Sequence, residues 1–238
     1  MSPKAKVTVG LILFFLAILI GLALSVPMIW AGAEAAHYGF PPMAEKKWHL
    51  HCPHYLALDE SGTVSATVKN TNDFPVTLKI RWWASIPLDL ETGLEYRELK
   101  PGQSWHWSHK VGPHNRDLHR FIFFSAYYFG GYPMPRRQGM CGIFVLPFGG
   151  IPGRAVLWFG LALFLVLGVA GWWLWREGSS QITVKPLLAN GVAIFAVLIP
   201  LTVAVALWGS WALGIALVAA DVLALIIFAL ALIGGQEA

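Results

Sequence analysis

The stretch VTVGLILFFLAILIGLALSVPMIW, Val7 to Trp30, holds no charged residue. A hydrocarbon core of about 30 Å is crossed by roughly 20 helical residues, so this run is long enough to span a bilayer. Lipid offers the backbone no hydrogen-bond partner, and a spanning run of this kind must be helical. Three more runs share its character: AVLWFGLALFLVLGVAGWWLW from Ala155 to Trp175, PLLANGVAIFAVLIPLTVAVALW from Pro186 to Trp208, and WALGIALVAADVLALIIFALALI from Trp211 to Ile233. They account for a composition that is 56% hydrophobic and 13% charged over 238 residues. Soluble domains average roughly 45–50% and 25%. The expectation is a membrane protein with four transmembrane helices.

The first run could also be a signal peptide, because Lys4 and Lys6 precede it and Ala31-Gly32-Ala33 fits a small-x-small cleavage pattern. The apolar region of such peptides is only about 7–15 residues long, and a retained anchor is the better reading. Short-loop basic residues set orientation. Lys4 and Lys6 lie before the first helix, and Arg176 and Lys185 flank the second connection. The Gly209-Ser210 turn carries no charge. This places both termini and the WREGSSQITVK loop in the cytoplasm, in a protein integral to the cell membrane. Trp30, Trp172, Trp173, Trp175, Trp208 and Trp211 fall near helix ends, where amphipathic rings anchor at the interface. The expected organisation is an N-terminal helix over 1–31, an extracytoplasmic domain over 32–152, and a three-helix membrane domain over 153–238.

The extracytoplasmic segment carries all eight histidines and both cysteines. Its apolar pattern has period two. Val64, Ala66 and Val68 alternate with polar neighbours in GTVSATVKN. Val76, Leu78, Ile80 and Trp82 share a face of VTLKIRWWA, and Trp105, Trp107, His109 and Val111 share one in SWHWSHKV. HRFIFFSAYYF and MCGIFVLP complete the series. Short strands punctuated by Gly, Pro and Asn read as a β-sandwich. GTVSATVKNTNDFPVTLKI followed by LKPGQSWHW resembles the bacterial adhesion-related and fibronectin-like immunoglobulin folds over Ser61 to Val111. The resemblance implies a binding or spacer module and no particular chemistry. Taken whole, the chain resembles bacterial membrane proteins.

WHLHCPHY, Trp48 to Tyr55, sets three histidines around one cysteine. In an oxidising compartment Cys52 and Cys141 are expected to form a disulfide joining the two ends of the domain. His49 and His51, at i and i+2 of an extended chain, would share a face. With His54 and with Met140 beside Cys141, they are a candidate copper or zinc site. Tyr127, Tyr128, Phe129, Tyr132, Arg136 and Arg137 crowd a Gly-Pro loop, and aromatics with arginine are enriched in interaction hot spots. They are the candidate partner surface. Asp59, Glu60, Asp89 and Glu91 read as solvated turn residues.

Within the apolar runs, Asp221 is the acidic residue near the middle of the fourth helix. Intramembrane carboxylates mark ion handling or a polar helix contact. Ala212, Ala216, Ala220 and Ala224 recur at i+4 beside it, a small-residue stripe suited to close helix packing. The expected interface is this stripe with Asp221. No GxSxG, HExxH, phosphate-binding glycine loop or CxxC is present. The mild basic balance of the outer segment is no nucleic-acid footprint. The resulting expectation is a non-catalytic accessory or scaffold subunit. Its partners would be membrane lipid and other membrane protein subunits or a second copy. Metal handling at His49, His51, His54 and Met140, or transport through Asp221, are the alternatives.

Overall fold

The computed structural model describes residues 1–181 and 186–234. Lys185 and the Gly235–Ala238 part of the tail, both used above to orient the chain, lie outside the described residues. Two compact units result: one is Met1–Ile29 with the chain from Leu157 onward, the other Trp30–Val156.

The first unit is helical. Its helices belong to α1 (Pro3–His37), α2 (Gly153–Ser179), α3 (Pro186–Trp208) and α4 (Trp211–Gly234). Among the described residues, four helices are long and apolar enough to cross a membrane. α1 and α2 meet backbone to backbone. A Cβ on Gly171 would lie 2.6 Å from the Phe14 nitrogen, and one on Gly178 would lie 2.8 Å from the Pro3 carbonyl oxygen. Small residues permit such close approach, the usual source of packing energy between helices in lipid. Lys6 pairs with Glu177 at the same end. α3 and α4 form a hairpin through Gly209, whose φ is +78°. Phe195 meets Phe228 edge to face inside it, ring centroids 6.3 Å apart. On α2 the residues Trp158, Phe159, Val166, Val169 and Trp173 point outward and are exposed.

α1 does not stop at the expected boundary of residue 31 but continues through Ala31-Gly32-Ala33 to His37. Glu34, Ala35 and Ala36 are good helix formers. Ala35 is buried against the β unit's outer apolar cluster, and Gly39, at φ +88°, lies just past the helix end.

The second unit holds two sheets. β2 (Gly62–Lys69) pairs antiparallel with β5 (Ser104–Val111). A larger sheet runs β1 (Tyr55–Leu56), β8 (Arg137–Val145), β7 (Phe121–Phe129), β3 (Val76–Ile86) and β4 (Asp89–Leu99), with β6 (Arg116–Asp117) on β7. Alternation decides which side chains go inward. Val64, Ala66, Val68, Trp105, Trp107 and Val111 from the small sheet join Leu78, Ile80, Trp82, Phe124 and Ile143 from the large one in a single buried cluster. The period-two faces expected for β2, β3 and β5 are therefore the observed ones.

The large sheet is covered on its other face as well. Trp83, Phe123 and Tyr127 pack there with Ala35 and Phe40. This explains why FIFFSAYYF in β7 is apolar without interruption: both of its faces are buried. Gln138 ties the covering segment down. Its amide nitrogen donates to Pro41 O at 2.9 Å and to Ser125 Oγ at 3.0 Å, and its Oε1 accepts from Met43 N at 2.8 Å. Tyr38 donates to Asp117 on this face; burial first, then that bond, pushes its phenol pKa up.

Two turn assignments are corrected. Asp89 and Glu91 belong to β4, an 11-residue edge strand paired along its length with β3. Glu60 is not simply solvated: its Oε2 accepts from Ala57 N at 2.8 Å and from Gly153 N, the first residue of α2, at 2.7 Å. A carboxylate there satisfies one of the N–H groups that a helix start leaves unpaired.

Candidate functional site

Residues 46–56 pass between the two sheets. Lys47 bridges Gln138 in parallel, His51 bridges Ser65 antiparallel, and β1 then pairs in parallel with Phe144 and Val145 of β8. Trp48, Leu50 and Cys52 point into the core cluster while His49 and His51 are exposed. Cys52 is bonded to Cys141 across 89 residues. A closure of that length contributes about 2–5 kcal/mol. The expected disulfide is thus present and lies against the core.

The four-residue metal set does not assemble. His49 and His51 do meet, edge to face with ring centroids 4.8 Å apart. Among the described residues, however, no group of three or more His, Cys, Asp or Glu could hold a metal ion. Met140 is the neighbour of Cys141, and in a strand neighbours point to opposite faces. Cys141 faces the shared core, so Met140 projects from the far face of the large sheet, half exposed. His54 follows Pro53, past the stretch whose alternation pairs the other two histidines. Adjacency in sequence was the wrong criterion: it separates side chains that share a cysteine neighbour.

The aromatic loop divides in the same way. Tyr127 and Tyr128 are 4% and 6% exposed, on opposite faces of β7. Tyr127 belongs to the outer cluster and Tyr128 to the shared core, so neither is available to a partner. Burial raises the Tyr128 phenol pKa. Phe129 stacks on Tyr127, with the Lys79 ammonium 5.8 Å from its ring. What remains free is the tip of the β7–β8 hairpin. Tyr132 is 99% exposed, and Arg136 and Arg137 are exposed beside it in the chain.

On α4 the structure separates the carboxylate from most of the alanine stripe. Asp221 is 0% exposed, and its Oδ2 accepts from Thr202 Oγ1 of α3 at 2.8 Å. The same hydroxyl lies 3.1 Å from Leu198 O, so a single proton stands between two acceptors. Asp221 Oδ1 has no hydrogen-bond partner among the described residues. Ala212 and Ala216 are exposed, whereas Ala220 and Ala224 are half-buried. The buried face of α4 is instead that of Gly214 and Asp221, with Gly214 against Ile29. These positions are seven apart, two helical turns, and the stripe lies to one side of them.

Sequence reasoning missed a polar knot in the β unit. Buried Asn115 accepts from Gly112 N at 3.0 Å and donates to Ser85 O at 3.3 Å and Glu91 Oε2 at 3.2 Å. Ser85 Oγ donates to Asn115 O at 2.6 Å and accepts from Phe123 N at 2.9 Å. His114 Nε2 stands 3.5 Å from the same Glu91 oxygen. Close by in the fold, His109 lies tilted against Trp82 with ring centroids 3.9 Å apart, and burial holds its imidazole pKa below the ordinary 6.5. The one signal for this knot was the Gly-Pro-His-Asn turn, which favours local side-chain bonding.

No protein-family profile and no curated protein matches the chain. Solved structures that resemble part of it include a β-glucosidase from Erythrobacter marinus, at 18% identity and TM-score 0.32, over 41% of this chain and 15% of that one. A β-glucosidase from Listeria innocua in complex with glucose resembles it at 14% identity and TM-score 0.30, over 44% and 16%. A CARDB domain from Pyrococcus furiosus in complex with di-metal ions does so at 12% identity and TM-score 0.34, over 42% and 90%. The chain spans about one sixth of either glucosidase. Likenesses this distant say nothing about activity.

Proposed function

We propose that the chain is an integral membrane protein with both termini cytoplasmic. It presents residues 32–152 outside as an immunoglobulin-like β-sandwich, and it acts as a non-catalytic accessory or scaffold subunit. The membrane reading is supported by large apolar side chains such as Trp158, Phe159 and Trp173 that α2 turns outward; patches of that kind need lipid or a partner to cover them. The sandwich reading is supported by two sheets that share one core, and by connections that cross between them from β1 to β2, β2 to β3, β4 to β5 and β5 to β6. The parallel return of β1 onto β8 fits the same architecture.

The interaction role rests on one observation: Tyr132, Arg136 and Arg137 stand exposed on a hairpin whose two strands are locked into a buried sheet. An aromatic with arginines on a rigid support loses little entropy on binding. Ala212 and Ala216, exposed on α4, offer a second contact for a neighbouring helix, from another subunit or a second copy. Asp221 is assigned to the α3–α4 hairpin, as a polar tie to Thr202, in preference to a transport path.

Cross-linking in native membranes, mild detergent extraction and mass spectrometry test this function. The wild type should retain a specific partner that the triple variant Tyr132→Ala, Arg136→Ala, Arg137→Ala loses, at equal expression. Recovery of the wild type as an isolated monomer would overturn it.

A further inference from the structure

His49 and His51 stand on a stretch of the β unit that is anchored at both ends. Trp48 N–H donates to Gln138 O at 2.8 Å, its indole N–H donates to Thr67 O at 3.4 Å, and its ring meets Tyr128 edge to face at 4.9 Å. Three residues later His51 exchanges both backbone hydrogen bonds with Ser65, at 2.8 and 2.9 Å. Cys52 is then fixed by its disulfide. Between these anchors the two imidazoles share one side of the chain and are exposed, with rings already in contact.

We propose that His49 and His51 form a two-imidazole chelate for a divalent first-row transition metal, copper(II) foremost, beside the outer face of the β2–β5 sheet. Ligands at i and i+2 of an extended chain project to the same side. A metal–nitrogen distance of about 2.0–2.1 Å is reached by rotating exposed side chains, without moving the backbone. The pinned backbone removes the ordering cost that a flexible His-X-His segment would meet. Imidazole suits copper, nickel and zinc, and the Irving–Williams order places copper first. With two protein ligands the remaining coordination positions stay open to water or a second ligand. The site is therefore one of capture and exchange, not a closed structural centre. It needs neither Cys52, which is oxidised, nor Met140, which points elsewhere. His106, whose Nδ1 lies 3.2 Å from Thr67 Oγ1, does not join them in a three-residue metal group among the described residues.

The test is copper(II) titration of the full chain in mild detergent, disulfide intact and free of any histidine tag, followed by electron paramagnetic resonance. One ion per chain with two equatorial nitrogens is expected. His49→Ala and His51→Ala should each weaken binding at least tenfold, while His54→Ala, His106→Ala and Met140→Ala leave it unchanged. Zinc(II) should bind more weakly at the same positions. Since both rings are exposed, the variants should keep the near-ultraviolet circular dichroism of the wild type, which separates lost ligation from lost folding. Undiminished binding in His49→Ala, or an equal loss in His54→Ala or His106→Ala, would overturn the assignment.

Discussion

The two units solve the packing problem with opposite materials. Where α1 meets α2, the contact is made by what is missing: Gly171 and Gly178 leave room for another helix's backbone. In the β unit it is made by bulk, with Trp107, Phe124 and Trp82 filling the space between two sheets. The polar groups differ in parallel. The side chains of Asn115, Ser85 and Gln138 each make several hydrogen bonds, while the Asp221 carboxylate makes one and its second oxygen has no partner among the described residues. A core filled by large rings depends on volume, and a helix seam built on glycine depends on its absence.

The sharpest test of that contrast is Trp107→Ala. Its ring is buried and its Nε1 has no hydrogen-bond partner among the described residues, so packing is what it contributes. Truncation should cost about 3–5 kcal/mol, as other buried aromatics do, read as a lowered denaturation midpoint of the β unit. Next comes the seam, where adding one methyl should do damage. Gly171→Ala sets a Cβ 2.6 Å from backbone nitrogen and should cost about 1–3 kcal/mol by overpacking. Gly168→Ala, whose nearest neighbour would be the Ala17 Cβ at 3.7 Å, should be tolerated. Thermal unfolding in detergent compares the two, and equal effects would break the distinction.

The smallest effect concerns pH. Burial, partly opposed by Glu91 and Glu95, holds the His109 pKa below its ordinary value. The unfolded chain then takes up a proton at higher pH than the folded one, so stability present above about pH 6.5 declines as pH falls toward the folded value. His109→Gln should flatten that decline, seen by comparing denaturant midpoints at about pH 7.5 and about pH 5. A steeper decline in the variant would reverse the sign.

The strands whose inward face the sequence made legible are those that alternate. β2, β3 and β5 carry a clean alternation, and Val64, Leu78 and Trp107 are buried as that pattern requires. β4 was not legible in this way. As an edge strand it buries little but Leu99; its sparse alternation of Leu90, Leu94 and Tyr96 marks a face left largely exposed, and its carboxylates read as turn residues. Of the aromatic loop, only exposure could tell Tyr132 from Tyr127 and Tyr128, because strand core and binding tip use the same side chains.

By itself the sequence determined the local and compositional facts: four apolar helices, a β unit between the first two, and two cysteines able to pair. These follow from runs and periods that are properties of the chain alone. Only the tertiary structure decided which distant groups meet: Asp221 with Thr202, Glu60 with Gly153, Asn115 with Ser85 and Glu91. It also decided that His49 and His51 stand together without Met140. The reason is geometric. A strand's pleat fixes the side each residue takes, but which strand lies beside it, and so which partner it meets, is set by the packing of the whole unit.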